Sequence, residues 1–171
     1  MQRIYVLSGM PGIGKSTWAK RLIEIYKAQD LNIHYISRDE VRFELVSMEE
    51  EYFSKEKMVF DNFMYRVNEC AATGEDIIID ATHLNKASRR KMLSRLKYNK
   101  KTAKLILVIF PFNLNLAIER NEKRQGTRAY VPVPALRKMA RAIDKPGKDE
   151  GFNEFWHINQ HGNVRIKEVI K

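Results

Sequence analysis

The sequence predicts an α/β fold in three layers, α/β/α, with a parallel sheet of about five strands. Three observations carry that expectation. Strand-like and helix-like runs alternate along most of the 171 residues, the pattern of right-handed βαβ crossovers. Two runs, Glu75-Asp-Ile-Ile-Ile-Asp80 and Ala103-Lys-Leu-Ile-Leu-Val-Ile-Phe110, are almost continuously apolar, as strands buried on both faces are. Between the first strand and the first helix lies Gly9-Met-Pro-Gly-Ile-Gly-Lys-Ser-Thr17, whose Gly-x-x-x-x-Gly-Lys-Ser spacing is that of a phosphate-binding loop.

The elements follow in order. Arg3 to Ser8 reads as the first strand, and Trp18 to Tyr26 has helical spacing. Asn32 to Ser37 is a second strand. Ser37 and Glu40 have capping-box spacing, so a helix is expected from Asp39 to Val46. A longer helix runs from Ser54 to Ala72 and stops at Thr73-Gly74. After the strand ending at Asp80, Lys86 to Tyr98 is a very basic helix. After Phe110, Asn113 caps a helix to Lys123, and Gln125 to Pro134 breaks it. Ala135 to Ile143 is helical, Pro146-Gly147 breaks again, and Phe155 to Ile158 is a last short strand. The chain reads as one domain over residues 1–171, with a helical lid over about 113–134.

Composition bounds the function. The apolar share is 44%, and no apolar run approaches the ~20 residues that span a bilayer. No signal-peptide pattern opens the chain. Cys70 is the only cysteine, which fits a reducing, cytoplasmic setting and excludes an internal disulfide. Cys70 falls among helical apolar residues and reads as a small buried hydrophobe. The net charge of +10 favours a polyanionic partner such as nucleic acid. His157 and His161 are four apart, but nothing beside them completes a zinc site, and Gly162 follows at once. They are expected in a tail turn.

The chemistry gathers at the strand ends, where ligands of open α/β sheets bind. Gly9, Gly12, Ile13, Gly14, Lys15, Ser16 and Thr17 would wrap the phosphates of a nucleotide. Lys15 adds a point charge, and Ser16 offers its hydroxyl to Mg2+. No Asn-Lys-x-Asp element for guanine is present, and the chain is short for a motor. A kinase using ATP and Mg2+ is the expected class. Asp39 and Arg42, three apart on one helix face, offer a base for an acceptor hydroxyl and a clamp for an anionic acceptor. The same pair would also serve as a surface ion pair. Asp80 would hold Mg2+ through water or position the acceptor; its other role is to cap the helix that follows. Thr82, His83 and Asn85 line the next loop. Arg120, Arg124 and Arg128 crowd a helix end closed by Gly126, where arginines can neutralise charge on a transferred phosphoryl group.

These residues, in this order, resemble the polynucleotide 5′-hydroxyl kinase domain of phage and animal end-repair enzymes. The match runs through Gly9 to Ala19, Arg38-Asp39-x-x-Arg42, Asp80-Ala-Thr-His-Leu-Asn85 with Arg89-Arg90, and Arg120-Asn-Glu-Lys-Arg124-Gln-Gly-Thr-Arg128. It continues through Val131-Pro-Val-Pro-Ala-Leu-Arg-Lys-Met139 to Glu150-Gly-Phe152. The resemblance implies ATP-dependent phosphorylation of a DNA or RNA 5′ end. It implies that Lys15 and Ser16 hold phosphates and Mg2+ and that Asp39 is the general base. Arg42 would contact an acceptor phosphate, Arg124 would be the lid arginine, and Arg120 its helper. Asp80 and Thr82 match the animal Asp-x-Thr spacing, whereas the phage pattern lacks the residue at Ala81. The Asp-x-Asp-x-Thr motif of the 3′-phosphatase domain that often accompanies this family is absent, so the chain is expected to be a kinase only, or the kinase half of a split system. Relatives with similar loops phosphorylate seryl-tRNA or small metabolites. An aminoacyl-tRNA or small alcohol is therefore the alternative acceptor, and a nonenzymatic ATP-responsive module is the third reading.

Overall fold

The computed structural model describes residues 1–170. Its strands are β1 (Gln2–Ser8), β2 (Ile33–Ser37), β3 (Asp76–Asp80), β4 (Ala103–Ile109), β5 (Glu154–Ile158) and β6 (Val164–Val169). Its α-helices are α1 (Lys15–Ala28), α2 (Arg38–Leu45), α3 (Glu56–Ala72), α4 (Lys86–Arg95), α5 (Leu114–Glu122) and α6 (Val133–Arg141), with a 3-10 turn at Lys148–Glu150.

The strands lie in the order β2-β3-β1-β4-β5-β6. The first five are parallel, and β6 pairs antiparallel with β5. Period-2 alternation sorts the central strands onto two faces. Ile4, Val6, Ile77, Ile79, Leu105 and Leu107 pack with α2, α3 and α4 through Val41, Phe63 and Met92. Tyr5, Leu7, Ile78, Ile106 and Val108 pack with α1, α5 and α6 through Trp18, Ala117 and Leu136. The three layers follow directly from this division.

Some expectations change. The sheet has six strands rather than about five, because Val164–Val169 forms an edge strand. Its residues are almost all exposed, so it lacks the apolar run that marks a buried strand. The last helix begins at Val133, not Ala135. Pro134 falls in its first turn, where a missing N–H costs nothing. His157 lies on β5, within the expected Phe155–Ile158 strand, and His161 lies in the hairpin turn.

The chain leaves β1 toward β2, on one side, and leaves β4 toward β5, on the other. The crevice therefore opens between the loops that follow β1 and β4, the topological switch point where open α/β sheets bind ligands.

Candidate functional site

The loop after β1 is shaped by its glycines and by what packs on them. A Cβ at Gly9 would come within 2.9 Å of Phe110 Cβ, which follows β4. Gly12 and Gly14 have φ of +78° and +109°, the left-handed region that favours glycine. Gly14 caps α1 without a side chain, which leaves the first amides of α1 to an anion. Lys15 is buried, and its Nζ folds back to donate to the carbonyls of Gly9 at 3.1 Å and Met10 at 2.9 Å. Burial lowers its pKa, opposed by Asp80 and Asp39 and reinforced by Arg124.

Asp80 ends β3 opposite Ser37 of β2. Its Oδ2 accepts from Ser16 Oγ at 3.0 Å and from Tyr35 Oη at 2.7 Å. Burial first, then the Asp80 charge, raises the Tyr35 pKa, so the phenol stays a donor. The cap of α4 is supplied by Asn85 through a capping box with Ser88, which frees Asp80 from that role. The loop between them is pinned by its backbone. The Thr82 carbonyl accepts from Gly9 N–H at 2.9 Å, and the His83 carbonyl accepts from Ser8 Oγ at 2.9 Å. His83 is buried, its Nδ1 lies 2.9 Å from the Leu7 carbonyl, and burial pushes its pKa down to about 4. It is neutral at pH 7 and donates to that carbonyl.

Ser37 caps α2 by accepting from Glu40 N–H at 3.3 Å. The first turn of α2 then presents Asp39, whose Oδ1 accepts from Arg42 Nη1 at 3.0 Å and from Tyr52 Oη at 3.1 Å. Asp39 is exposed to the crevice, while Arg42 is buried. The Arg42 guanidinium lies 4.5 Å from the Tyr52 ring centroid and donates from Nη2 to Glu56, in the first turn of α3. Glu56 also accepts from Arg38 Nη2 at 2.7 Å. Burial, then the charge of Arg42, brings the Arg38 pKa down to about 10. The Nε atoms of both arginines are buried without a partner.

Helix α5 lies against the phosphate loop. Arg120 Nη1 donates to the Gly12 carbonyl at 3.1 Å. In the last turn of α5, buried Asn121 reaches Val131: its Nδ2 donates to the Val131 carbonyl at 2.8 Å, and its Oδ1 accepts from Val131 N–H at 2.9 Å. This clasp closes the turn that carries Arg124 and Gly126. Arg128 donates from Nη1 to the Phe43 carbonyl at 2.6 Å, tying the same segment to α2.

Two cavities meet here. One of about 530 Å³ is bounded by the phosphate loop, Arg120, Arg124 and the β5–β6 turn at Asn159–Gly162. The other, of about 110 Å³, is bounded by Arg38, Arg42, Glu56, Thr82 and Met139. Both are lined by Pro11, Lys15, Asp39 and Asp80. Of the residues singled out in the sequence, Gly12 to Thr17, Asp39, Arg42, Asp80, Thr82, Arg120 and Arg124 border one cavity or the other, whereas Gly9, His83, Asn85 and Arg128 border neither. The structure adds Tyr35, Tyr52, Glu56, Asn121 and the β5–β6 turn. Of these, only the approach of Asn121 to the lid arginines left a local trace; the others come from distant segments.

A protein-family model described as AAA domain matches residues 4–146. The chain belongs to the AAA domain family. The matched segment runs from β1 to just past α6 and includes every residue bordering the smaller cavity. Among curated relatives, the L-seryl-tRNA(Sec) kinase of Methanococcus maripaludis is 23% identical over 184 residues, covering 96% of this chain and 69% of that protein. Among solved structures, a chain of the Pnkp1/Rnl/Hen1 RNA repair complex aligns with a TM-score of 0.64 and 23% identity over 82% of this chain. This AAA domain chain spans 43% of that chain's length. A chain of the PezAT chromosomal toxin–antitoxin system of Streptococcus pneumoniae aligns with a TM-score of 0.66 and 16% identity, covering 98% of this chain and 71% of that one. Both structures share the α/β fold. Among the described residues of the AAA domain chain, no helix is long and apolar enough to cross a membrane.

Proposed function

We propose that this chain is an ATP-dependent P-loop kinase that transfers the γ-phosphoryl group to the 5′-hydroxyl end of a polynucleotide. The observation that carries the reading is the meeting of two cavities at Lys15, Asp39 and Asp80. A larger, phosphate-shaped donor space and a smaller acceptor space share one carboxylate that can act as base. About 530 Å³ is within the usual range for a nucleotide-sized ligand.

In the proposed reaction the acceptor oxygen bonds to the γ-phosphorus, the bond between the γ-phosphorus and the β,γ-bridging oxygen breaks, and ADP departs with that oxygen. Asp39 takes the hydroxyl proton. Lys15, Arg120 and Arg124 hold the charge on the phosphates. The Ser16 hydroxyl and Asp80 carboxylate, 3.0 Å apart, suit Mg2+, which takes one or two protein oxygens plus phosphates and water. No cluster of three or more His, Cys, Asp or Glu is formed among the described residues, and Mg2+ in this role needs none. Bound there, Mg2+ would neutralise phosphate charge. The guanidinium groups of Arg38 and Arg42, which border the smaller cavity, supply positive charge for an anionic group on the acceptor.

The RNA-related names of two relatives support a nucleic-acid acceptor. The seryl-tRNA kinase relative favours an aminoacyl-tRNA hydroxyl as the second reading. Incubation with γ-labelled ATP and 5′-hydroxyl DNA or RNA tests the proposal, with seryl-tRNA in a parallel reaction. Label on the 5′ end is the expected result. Label on seryl-tRNA alone would replace the first reading with the second.

A further inference from the structure

The charge of this chain is not spread evenly. Residues 123–145 hold seven Lys and Arg and one acid, Asp144, a large part of the net +10. Residues 86–104 hold nine more Lys and Arg and no acid, but five of them, Lys86, Arg89, Arg90, Arg95 and Lys104, pair with carboxylates from other segments. Lys57 and Arg95 share Asp61, and Lys86 and Arg90 share Asp149. Arg137, Lys138 and Arg141 of α6 are exposed, and none lies within 4.0 Å of a carboxylate among the described residues.

Their place in the fold gives this surplus a direction. Ala135, Leu136, Met139 and Ala140 turn α6 toward the protein, and Arg137, Lys138 and Arg141 fall on the opposite side at helical spacing. Met139 borders the acceptor cavity. Tyr130 and Pro132, just before α6, border an adjoining cavity of about 220 Å³ that also touches Arg42 and Tyr52. At its far end, the Leu84 carbonyl accepts from Asp144 N–H at 3.2 Å, which holds the chain over the loop after β3. Helix α6 is thus a wall of the acceptor site with a cationic outer face. Favourable interaction with the helix C-terminus accounts for Lys138 and Arg141 in the last turn. It does not account for Arg137, whose repulsion with Arg141 at i,i+4 costs a few tenths of a kcal/mol.

We propose that the outer face of α6, through Arg137, Lys138 and Arg141, is a docking track for the phosphate backbone of the acceptor strand beyond its 5′ end. The inference rests on the polynucleotide reading above. An acceptor small enough for a cavity of about 110 Å³ has no need of this surface, whereas a polynucleotide must leave the cavity across its rim. A nine-residue helix is about 14 Å long, enough for about four phosphates at the 3.4 Å spacing of a stacked strand.

The test compares two triple variants of the full chain. One is Arg137→Gln/Lys138→Gln/Arg141→Gln. The other, Lys97→Gln/Lys100→Gln/Lys101→Gln, removes equal charge before β4, at the opposite end of the strands. The first readout is fluorescence anisotropy with a roughly 20-nucleotide 5′-hydroxyl RNA over about 50–200 mM salt. The α6 variant should bind about 10-fold more weakly at low salt and flatten the slope of log K against log salt by about 2, at about 0.7 per lost phosphate contact. The control variant should follow the wild type. The second readout is phosphoryl transfer. The α6 variant should raise KM for the long RNA, with kcat and the KM for a nucleoside 3′-phosphate unchanged. Equal losses in both variants, an unchanged salt slope, or wild-type protein that does not bind the RNA would overturn the track. If the wild type binds the RNA but phosphorylates no 5′-hydroxyl, the catalytic reading falls, while the anisotropy comparison still decides the track.

Discussion

Ser16 Oγ donates to Asp80 Oδ2 at 3.0 Å, linking the first turn of α1 to the end of β3. Tyr35 Oη, donating to the same oxygen at 2.7 Å, fixes the carboxylate from β2. A helix start and a strand end are held in register by one oxygen atom, at the point where the two cavities meet. Asp80→Asn should raise the Mg2+ concentration for half-maximal phosphoryl transfer by about 10- to 100-fold. Tyr35→Phe, which only frees the carboxylate to turn, should have a smaller effect. A Mg2+ titration in which Asp80→Asn matches the wild type would remove Asp80 from the metal site.

Asp39 borders the smaller cavity and is the proposed base for a hydroxyl bound there. Asp39→Asn keeps the size of the side chain and its contacts with Arg42 and Tyr52 but removes the base. Phosphoryl transfer should fall by about 10²- to 10⁴-fold, with the Kd for ATP within about 2-fold of wild type. Single-turnover kinetics and calorimetric ATP binding separate the two effects. An active Asp39→Asn protein would end the assignment.

The phosphate-binding loop was legible because it is local, nine consecutive residues with a strand and a helix on their flanks; the β5–β6 turn that borders the same cavity comes from a distant segment and left no trace. The acceptor half was legible only in part. Asp39 and Arg42 share a helix turn, so their spacing shows in the sequence. Glu56, which binds Arg42 and Arg38 from α3, is fourteen residues from Arg42, with no periodic signal between them. Arg42 was expected as an anion clamp or as the surface ion-pair partner of Asp39; it does pair with Asp39, but it is buried and also donates to Glu56. Arg89, read in sequence beside Arg90 as a basic pair, is fully buried. It donates from Nε and Nη2 to Glu150 at 2.6 and 2.9 Å. Long-range pairing of this kind follows from topology and leaves no local pattern. Strand β6 escaped notice because an exposed edge strand carries no apolar run.

Glu56 compensates two arginines at once, so its removal should be costly. Glu56→Ala leaves Arg42 buried with only Asp39 as counter-charge. Breaking a fully buried pair costs about 3–5 kcal/mol. Glu56 is 36% exposed, so solvent screening reduces this to about 1–3 kcal/mol. At about 2–4 °C per kcal/mol for a chain of this size, thermal unfolding should fall by about 2–12 °C. Glu56→Gln, which keeps one acceptor oxygen, should lose less. An unchanged Tm in both variants would contradict the ion-pair network.

His83 gives the fold a defined acid sensitivity. Burial holds its pKa at about 4, opposed by its bond to the Leu7 carbonyl and helped by the charges of Arg38, Lys15 and Arg89. The unfolded chain takes up the proton at an ordinary pKa of about 6.5. Below that pH the unfolded state binds more protons, so stability should fall from about pH 6.5 and level off near pH 4, by up to about 3 kcal/mol. His83 sits at φ +40°, which Asn tolerates better than most residues. His83→Asn should therefore fold and show a flatter Tm profile between those two pH values. Parallel profiles for the two proteins would assign the acid sensitivity elsewhere.

Asn121 ties the lid segment to its own base. Its amide satisfies both backbone groups of Val131, and the ten-residue span between them carries Arg124 and Arg128. Asn121→Ala leaves a buried N–H and a buried carbonyl without partners, at about 1–3 kcal/mol each. It also releases the segment that aims Arg124 into the nucleotide cavity. Arg124 does its proposed work as charge builds on the transferred group, so kcat should fall more than ATP affinity. Arg124→Ala should produce the same loss of kcat without the loss of stability. The double variant should then be no slower than Arg124→Ala alone, because Asn121 acts only through the arginine it positions. Additive losses in kcat would show that the clasp supports catalysis by another route.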